Sequence, residues 1–182
     1  MNAESQQGQL TPQVGDSDHI QGQPTASLTL VEYGDFQCPY CGEAYPIVKA
    51  VQQDIGPDLR LVFRNFPLAQ IHSHAELAAE AAEAAADQGK YWEMHDMLFE
   101  NQKALRPNDL VDYAKSLDLD VEKFEQDLEQ RLFAQKVRDD FMSGVRSGVN
   151  GTPTFFVNGQ RYNASWDYGS LLANLSSVLQ DQ

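Results

Sequence analysis

The pattern of hydrophobic and polar positions in the first third of the chain predicts a strand, a helix and a second strand. The apolar run SLTLVEYGDF predicts a mostly buried strand of about seven residues. A helix is expected from Pro39 to near Asp54, kinked at Pro46 because proline has no N–H for the carbonyl of Gly42. The run LRLVFRNFPL predicts the second strand. A helix of this length can connect parallel strands, so we expect a β-α-β unit.

The middle of the chain, about residues 70–148, repeats apolar positions at helical spacing. The Ala-rich stretch HAELAAEAAEAAADQGKYWEMHDMLFENQ predicts helix interrupted at Gly89, and RPNDLVDYAKSLDL predicts a shorter helix. A single longer helix is expected over DVEKFEQDLEQRLFAQKVRDDFMSGVRSG, with Asp120 as its N-cap and Gly148 at its end. This region is therefore predicted to be all-helical.

The last part of the chain predicts a β-hairpin followed by a helix. The hairpin strands are Thr154 to Val157 and Gln160 to Tyr162, joined by the tight turn Asn158-Gly159. The segment WDYGSLLANLSSVL then predicts an amphipathic closing helix. The predicted fold class is α/β, with the order β-α-β, helical section, β-β-α.

Composition suits one globular domain of 182 residues with 42% hydrophobic residues. Residues 1–18 are polar and aperiodic, which predicts a flexible arm before a domain over residues 19–182. The net charge of −14 argues against nucleic-acid partners. No apolar run approaches the ~20 residues of a membrane span. The start of the sequence lacks the features of a signal peptide, which fits either a cytoplasmic protein or a mature chain whose leader was removed.

The two cysteines of the chain, Cys38 and Cys41, lie in the segment FQCPYCG. A structural zinc site would require two more ligands, and no third cysteine or suitably spaced histidine pair is present. A purely structural disulfide is a second alternative, but closing so short a loop stabilises little. We therefore favour a redox-active pair.

The position of the pair supports the redox interpretation. Cys38 is expected at the N-terminus of the first helix, where the helix dipole and backbone N–H groups favour a thiolate. We expect Cys38 to be exposed and either to attack a disulfide or to accept attack, forming a mixed disulfide. Cys41, one turn deeper, is expected to resolve that mixed disulfide. Pro39 fixes the turn, and Tyr40 modulates hydrogen bonding and solvent access.

The segment GTPT, with Thr152 and Pro153, directly precedes a predicted strand. Proline does not fit a central strand, and a cis peptide bond is found mainly before proline. If this segment folds beside Cys38, the backbone of Thr152 can pair with an extended peptide. The alternative is that Pro153 merely ends a loop. Together with the cysteine pair, we favour the active-site interpretation.

Several stretches together resemble the DsbA-like thiol:disulfide oxidoreductases of the thioredoxin superfamily. They are VEYGDFQCPYC, RNFPL, AAEAA, KYWEMHDMLF and GVNGTPTFFVNG, and the resemblance covers about residues 20–180. It implies a thioredoxin fold with an inserted all-helical subdomain. It also implies that Cys38 is the nucleophile, Cys41 the resolving thiol and Pro153 a cis-proline facing them.

The same resemblance implies that Glu32 is the acidic residue near the buried cysteine, although a solvent-exposed carboxylate at a sheet edge is the alternative. It implies cysteine-containing polypeptides as substrates, a redox partner that re-oxidises or reduces the pair, and no metal or organic cofactor. No dimerisation arm is evident, so a monomer is expected. An oxidising, extracytoplasmic compartment such as the periplasm is favoured, for a free or membrane-anchored domain.

Three other functions remain open. A CPYC motif also resembles glutaredoxins, but these are shorter, and no basic groove for glutathione carboxylates is evident in the sequence. A non-catalytic chaperone or binding module on the same fold is the second. The third is the kappa-type glutathione transferase or isomerase branch, which shares the inserted architecture but normally lacks the resolving cysteine, so Cys41 counts against it.

Other conspicuous residues receive structural interpretations. Three glutamates of the Ala-rich helix are expected on a solvated face: Glu76, Glu80 and Glu83. Three histidines are expected to be structural: His72, His74 and His95. A group of large apolar side chains is expected to pack in the helical core: Trp92, Met94, Met97, Leu98 and Phe99.

Overall fold

The computed structural model describes residues 8–182 of the chain. Within that part, five strands form one sheet in the order β1-β3-β2-β4-β5. They are β1 (His19–Gln21), β2 (Leu28–Gly34), β3 (Leu59–Asn65), β4 (Thr154–Val157) and β5 (Gln160–Tyr162). β1 runs antiparallel to β3, and β4 runs antiparallel to both β2 and β5.

The helices follow the predicted order. They are α1 (Pro39–Ile55), α2 (Ala75–Asp87), α3 (Tyr91–Glu100), α4 (Pro107–Ser116), α5 (Val121–Glu129), α6 (Ala134–Arg146) and α7 (Tyr168–Gln180), with a short 3₁₀ turn at Gly56–Asp58 after α1. None of the helices in residues 8–182 is long and apolar enough to cross a membrane.

The chain divides into two compact units. The first contains the described residues up to Gly34, together with 43–64 and 143–182, and so holds nearly all of the sheet. The second contains 35–42 and 65–142, which overlaps most of the predicted insertion at about 70–148. Buried aromatic residues such as Phe63 and Phe156 lie in the first unit, and buried Phe124 lies in the second.

The structure confirms three features predicted from short stretches of sequence: a hairpin turn, a helix N-cap and a glycine at the end of a helix. Asn158 and Gly159 have φ values of 46° and 82°, as expected for a type I′ hairpin turn. The Asp120 side chain accepts a hydrogen bond from the Lys123 N–H at 3.0 Å, so it caps α5. Gly148, with a φ of 81°, follows the end of α6.

The predicted flexible arm is wrong from residue 8 onward. Leu10 is only 2% exposed, and its N–H donates to the carbonyl of Gly159 at 2.8 Å. Asp18 forms a buried ion pair with Arg64 at 2.8 Å. A polar, aperiodic composition does not reveal one apolar anchor and one ion pair with partners far along the chain. Residues 1–7, the rest of the predicted arm, lie outside the described residues.

The single long helix predicted after Asp120 is also wrong, because it is divided into α5 and α6. Arg131 lies between them with a φ of 52°, a left-handed conformation that ends α5. Its guanidinium contacts Glu76 at 3.0 Å and also pairs with Glu80. These ion pairs hold the chain at the break, although the sequence carries no glycine or proline there.

The solvated glutamate face predicted on α2 is wrong for two of its three members. Glu80 is 1% exposed and Glu83 is 3% exposed. Glu83 accepts a hydrogen bond from the Asn65 side-chain amide at 2.8 Å, and that amide also donates to Asp140 at 2.9 Å. The carboxylates are buried because donors from distant parts of the second unit satisfy them.

Candidate active site

The two cysteines lie at the start of α1 in the second unit. Cys38 directly precedes the first helical residue, and its carbonyl accepts a hydrogen bond from the Gly42 N–H at 3.0 Å. The Cys38 N–H in turn donates to the Asp35 carbonyl at 3.1 Å. Cys38 therefore lies at the positive end of the helix dipole, where a thiolate is stabilised.

The burial of the pair differs from the sequence prediction. Cys38, expected to be exposed, is 3% exposed, and Cys41 is fully buried. The residues between them, Pro39 and Tyr40, are exposed, and Tyr40 retains 62% of its surface. The loop does not protrude into solvent, because hydrogen bonds hold Cys38 on both sides of its backbone. Cys38 is still the more accessible of the two.

One of these bonds comes from Gln102, a residue that the sequence did not single out. Its side-chain amide donates to the carbonyl of Phe36 at 2.9 Å and to that of Cys38 at 2.8 Å. This close approach needs Gly42, since a Cβ atom there would lie 2.1 Å from Gln102 Oε1. Gln102 follows α3 in an irregular segment, and no sequence motif marks it.

Asp35 organises the other side of the loop. Its side chain is fully buried and accepts hydrogen bonds from the backbone N–H groups of Gln37 and Leu68, both at 2.8 Å. The Nδ1 atom of His72 lies 2.8 Å from the same carboxylate. The expectation that His72 is structural is therefore supported by its position. One buried carboxylate ties the residues before Cys38 to the chain after β3.

Two further contacts of the loop are also structural. The Gln37 side chain accepts a hydrogen bond from the His74 N–H at 2.7 Å. The ring of Phe36 packs against those of His95 and Phe99, with centroids 5.7 Å and 4.9 Å away. His95 thus lies in an aromatic cluster, as expected for a structural residue, and its Nδ1 lies near Asp96.

Glu32 lies on β2 in the first unit and is 3% exposed. In the register of β2 with β4, Glu32 is opposite Phe155, and Tyr33 is opposite Thr154. The alternative of a solvent-exposed carboxylate at a sheet edge is therefore wrong, because β2 is flanked by β3 and β4.

The Thr152–Pro153 peptide bond is cis, as the sequence predicted. Both residues are half-buried in the first unit and directly precede β4. The Thr154 hydroxyl donates to the Gly151 carbonyl at 2.7 Å, which closes the turn before the strand. The structure thus brings Cys38, Pro39, Tyr40 and Cys41 into one helical turn and places Thr152 and Pro153 at the start of β4.

No metal-binding cluster is found near these residues: among residues 8–182, no group of three or more His, Cys, Asp or Glu side chains is arranged to hold an ion.

A family model described as Thioredoxin matches residues 15–176. The chain belongs to the thioredoxin family. Two crystal structures share the fold of this thioredoxin-family protein. BdbD from Bacillus subtilis, in its oxidised form, superposes with a TM-score of 0.83 at 27% identity, covering 96% of this chain and 97% of that one. A thioredoxin-like oxidoreductase from Silicibacter pomeroyi gives 0.80 at 27% identity, covering 92% and 95%. The predicted thioredoxin fold with a helical insertion is therefore confirmed.

Curated relatives of this thioredoxin-family protein are named as Na(+)/H(+) antiporters. The Na(+)/H(+) antiporter NhaA 1 of Salinispora arenicola is 47% identical over 169 residues, which is 93% of this chain but 26% of the relative. The antiporter NhaA 3 of Salinispora tropica is 46% identical over the same length. The chain thus spans about a quarter of the length of the curated relatives it matches.

Proposed function

We propose that the protein is a thiol:disulfide oxidoreductase that exchanges disulfides with cysteines of other polypeptides through Cys38 and Cys41. The observation that carries this proposal is the position of the pair. Cys38 directly precedes α1, and Cys41 lies in the first turn of the same helix. The likeness to a structure named as a thioredoxin-like oxidoreductase supports it.

The proposed exchange proceeds in two balanced steps. A substrate thiolate attacks Cys38 Sγ in the oxidised protein, the Cys38–Cys41 bond breaks, and Cys41 leaves as a thiolate. A second substrate thiolate then attacks the substrate sulfur bound to Cys38, and Cys38 leaves as a thiolate. The substrate dithiol is oxidised to a disulfide, the protein pair is reduced, and two protons pass to solvent or to the new thiolates. The reverse sequence reduces a substrate.

Three further residues receive roles in this proposal. Glu32, a buried carboxylate, takes up and returns the proton of Cys41 during exchange. Thr152 and Pro153, which directly precede β4, bind the substrate in this proposal, with the Thr152 backbone pairing with the extended polypeptide.

Pro39 and Tyr40, the exposed residues of the motif, control access to the sulfurs in this proposal. No metal or organic cofactor takes part, because the electrons move only between sulfur atoms. A separate redox partner restores the starting state of the pair after each cycle, and the protein works as a monomer.

The site of action is proposed to be outside the cytoplasm, beside a membrane. The absence of cysteines outside the motif suits an oxidising compartment. The high identity to part of antiporter sequences suggests a domain that works close to such a membrane protein. Proteolysis of intact cells whose wall has been removed tests this: digestion of the protein supports export, and protection contradicts it.

The function itself is tested with the Cys41→Ser variant. Because the second thiol is missing, mixed disulfides between Cys38 and polypeptide substrates should accumulate and be released by reductant. The matched Cys38→Ser variant should trap none. Equal trapping by both variants, or trapping of glutathione in place of polypeptides, would contradict the proposed function.

A further inference from the structure

A pocket of about 500 Å³ lies next to the reactive turn, within the second unit. Its lining includes Gln37, Pro39, His74, Gln102, Lys103 and Arg106. Pro39 follows Cys38 directly in the chain, so the pocket adjoins the proposed nucleophile. Its volume lies in the range of roughly 300–1,000 Å³ that is usual for ligand pockets.

The pocket has a cationic lining although the chain as a whole carries a net charge of −14. Lys103 and Arg106 are exposed, and no lining residue is an aspartate or glutamate. Arg106 pairs with Asp109 at 3.0 Å, and this hydrogen bond holds the pKa of Asp109 below its usual value, so the pair is nearly neutral. Lys103 joins none of the ion pairs seen within residues 8–182 and supplies the uncompensated positive charge.

The walls of the pocket are tied to the loop that carries Cys38. Gln37 accepts a hydrogen bond from the His74 N–H at 2.7 Å, and Gln102 donates to the Cys38 carbonyl at 2.8 Å. A ligand group held in this pocket therefore has a defined position relative to the reacting sulfur. The sequence showed no basic groove for glutathione carboxylates, whereas the structure places Lys103 and Arg106 in the lining of this pocket.

We infer that the pocket binds a carboxylate of the substrate polypeptide, supplied by an aspartate or glutamate close to the reacting cysteine. The inference rests on the proposed disulfide exchange and names its substrate class. The anions that polypeptides ordinarily carry are carboxylates, and Lys103 is a mobile point charge that suits them. A residue two positions from the cysteine lies at most about 7 Å from it along an extended chain, which matches a pocket adjoining Cys38.

The test uses single-cysteine peptides with Glu, Gln or Lys two positions after the cysteine. The measured quantity is the second-order rate constant for reduction of the oxidised protein by each peptide. Each rate is divided by that peptide's rate with a small aromatic disulfide, which corrects for the effect of the neighbouring charge on the peptide thiol. Glutathione is run in parallel as a non-polypeptide carboxylate.

The Glu peptide should react about two- to fivefold faster than the Gln peptide, and the Lys peptide slowest, as expected for a partly exposed charge pair. Lys103→Glu should abolish or reverse this order. Lys115→Glu, an equal change of charge at an exposed α4 position outside the pocket, should preserve it. Added salt should reduce the advantage of the Glu peptide.

Equal normalised rates for the three peptides, or an order that survives Lys103→Glu, would overturn the inference. A normalised rate for glutathione above that of the Glu peptide and lost in Lys103→Glu would overturn the polypeptide assignment in favour of glutathione. A control with dithiothreitol, an uncharged dithiol, distinguishes failure of the pocket inference from failure of the proposed function. If it reduces a Cys38–Cys41 disulfide but no charge preference is seen, only the pocket inference fails; if no such disulfide is present, the proposed function fails with it.

Discussion

The side-chain amide of Gln102 donates a hydrogen bond to the carbonyl oxygen of Cys38 at 2.8 Å, across 64 residues of sequence. The same nitrogen donates to the carbonyl of Phe36 at 2.9 Å. Gln102, which has no redox chemistry of its own, thus holds the backbone on both sides of Gln37. Gln102 is therefore a positioning residue for the proposed nucleophile.

Gln102→Ala should lower the free energy of unfolding by about 1–3 kcal/mol, because the carbonyls of Phe36 and Cys38 each lose the hydrogen bond from Gln102, and the Cys38 carbonyl keeps that from the Gly42 N–H. Disulfide exchange should slow by about tenfold or more, since small displacements of reacting groups are costly. The decisive readout is the pH midpoint of Cys38 thiolate absorbance in a Cys41→Ser background, which a purely structural role does not move.

The matched control is Gln135→Ala. It removes an exposed glutamine whose amide donates to Asp139 at 2.8 Å within α6, far in sequence from the cysteines. Its thiolate midpoint and exchange rate should equal those of the wild type. If Gln102→Ala behaves like this control, the positioning role is refuted.

Gly42→Ala should reproduce the effect of Gln102→Ala, because the added Cβ would lie 2.1 Å from Gln102 Oε1 and displace that side chain. The double variant should then exchange disulfides almost as fast as either single variant. A double-mutant cycle in the exchange rate measures this.

Gly169→Ala is the control for a helical glycine, since its Cβ would meet its nearest atom at an ordinary 3.5 Å. It should be neutral or slightly stabilising in α7. Additive losses in the Gly42→Ala/Gln102→Ala cycle would contradict a shared mechanism.

Asp35→Asn should destabilise the protein by about 1.5–3 kcal/mol, because a buried carboxylate that accepts from two backbone N–H groups is replaced by an amide with only one acceptor. Urea unfolding measures the loss. Asp112→Asn, at an exposed position of α4, should change stability by less than about 0.5 kcal/mol. Similar values for the two variants would show that Asp35 does not hold the loop.

The buried carboxyl of Asp140 should lower the free energy of unfolding as the pH rises from 3.8 toward its raised pKa. Burial raises its pKa above the ordinary 3.8, while Lys136 and the Asn65 N–H act in the opposite direction. Between 3.8 and the raised value the folded state binds more protons than the unfolded state, so stability declines with increasing pH in that window. The loss caused by Asp140→Asn should therefore be smaller at pH 7 than at pH 4, as urea unfolding at both values will show.

Asp167, the N-cap of α7, should show the opposite sign. Hydrogen bonds from Ser165 and Ser170 lower its pKa to about 2, so its contribution is present above 3.8 and is lost as the pH falls toward 2. The loss caused by Asp167→Asn should be larger at pH 5 than at pH 2. Matching pH profiles for the Asp140 and Asp167 variants would contradict both assignments.

Features set by neighbouring residues were predictable from the sequence. The Asn158-Gly159 turn, the Asp120 cap and the position of the cysteine pair at a helix start depend on chemistry within a few residues. The cis bond before Pro153 was expected because proline is the residue before which such bonds are found.

Features set by distant partners were not predictable. The burial of Glu80 depends on Arg131, 51 residues away, and nothing in the Ala-rich pattern of α2 distinguishes it from half-buried Glu76. The anchoring of Cys38 by Gln102 has no motif, because glutamine is common on helix surfaces and in loops. Strand β1, with three residues, is too short for a periodic pattern to be detected.

The central claim is that Cys38 and Cys41 form a reversible redox pair. The most direct test is to equilibrate the intact protein in buffers of defined ratios of reduced to oxidised glutathione, quench with an alkylating agent, and measure its mass. The account predicts two populations, one alkylated twice and one that carries no label and has lost two hydrogens, interconverting at a single midpoint potential. Singly alkylated protein with a glutathione adduct on either cysteine across the whole range, and no internally oxidised species, would contradict it.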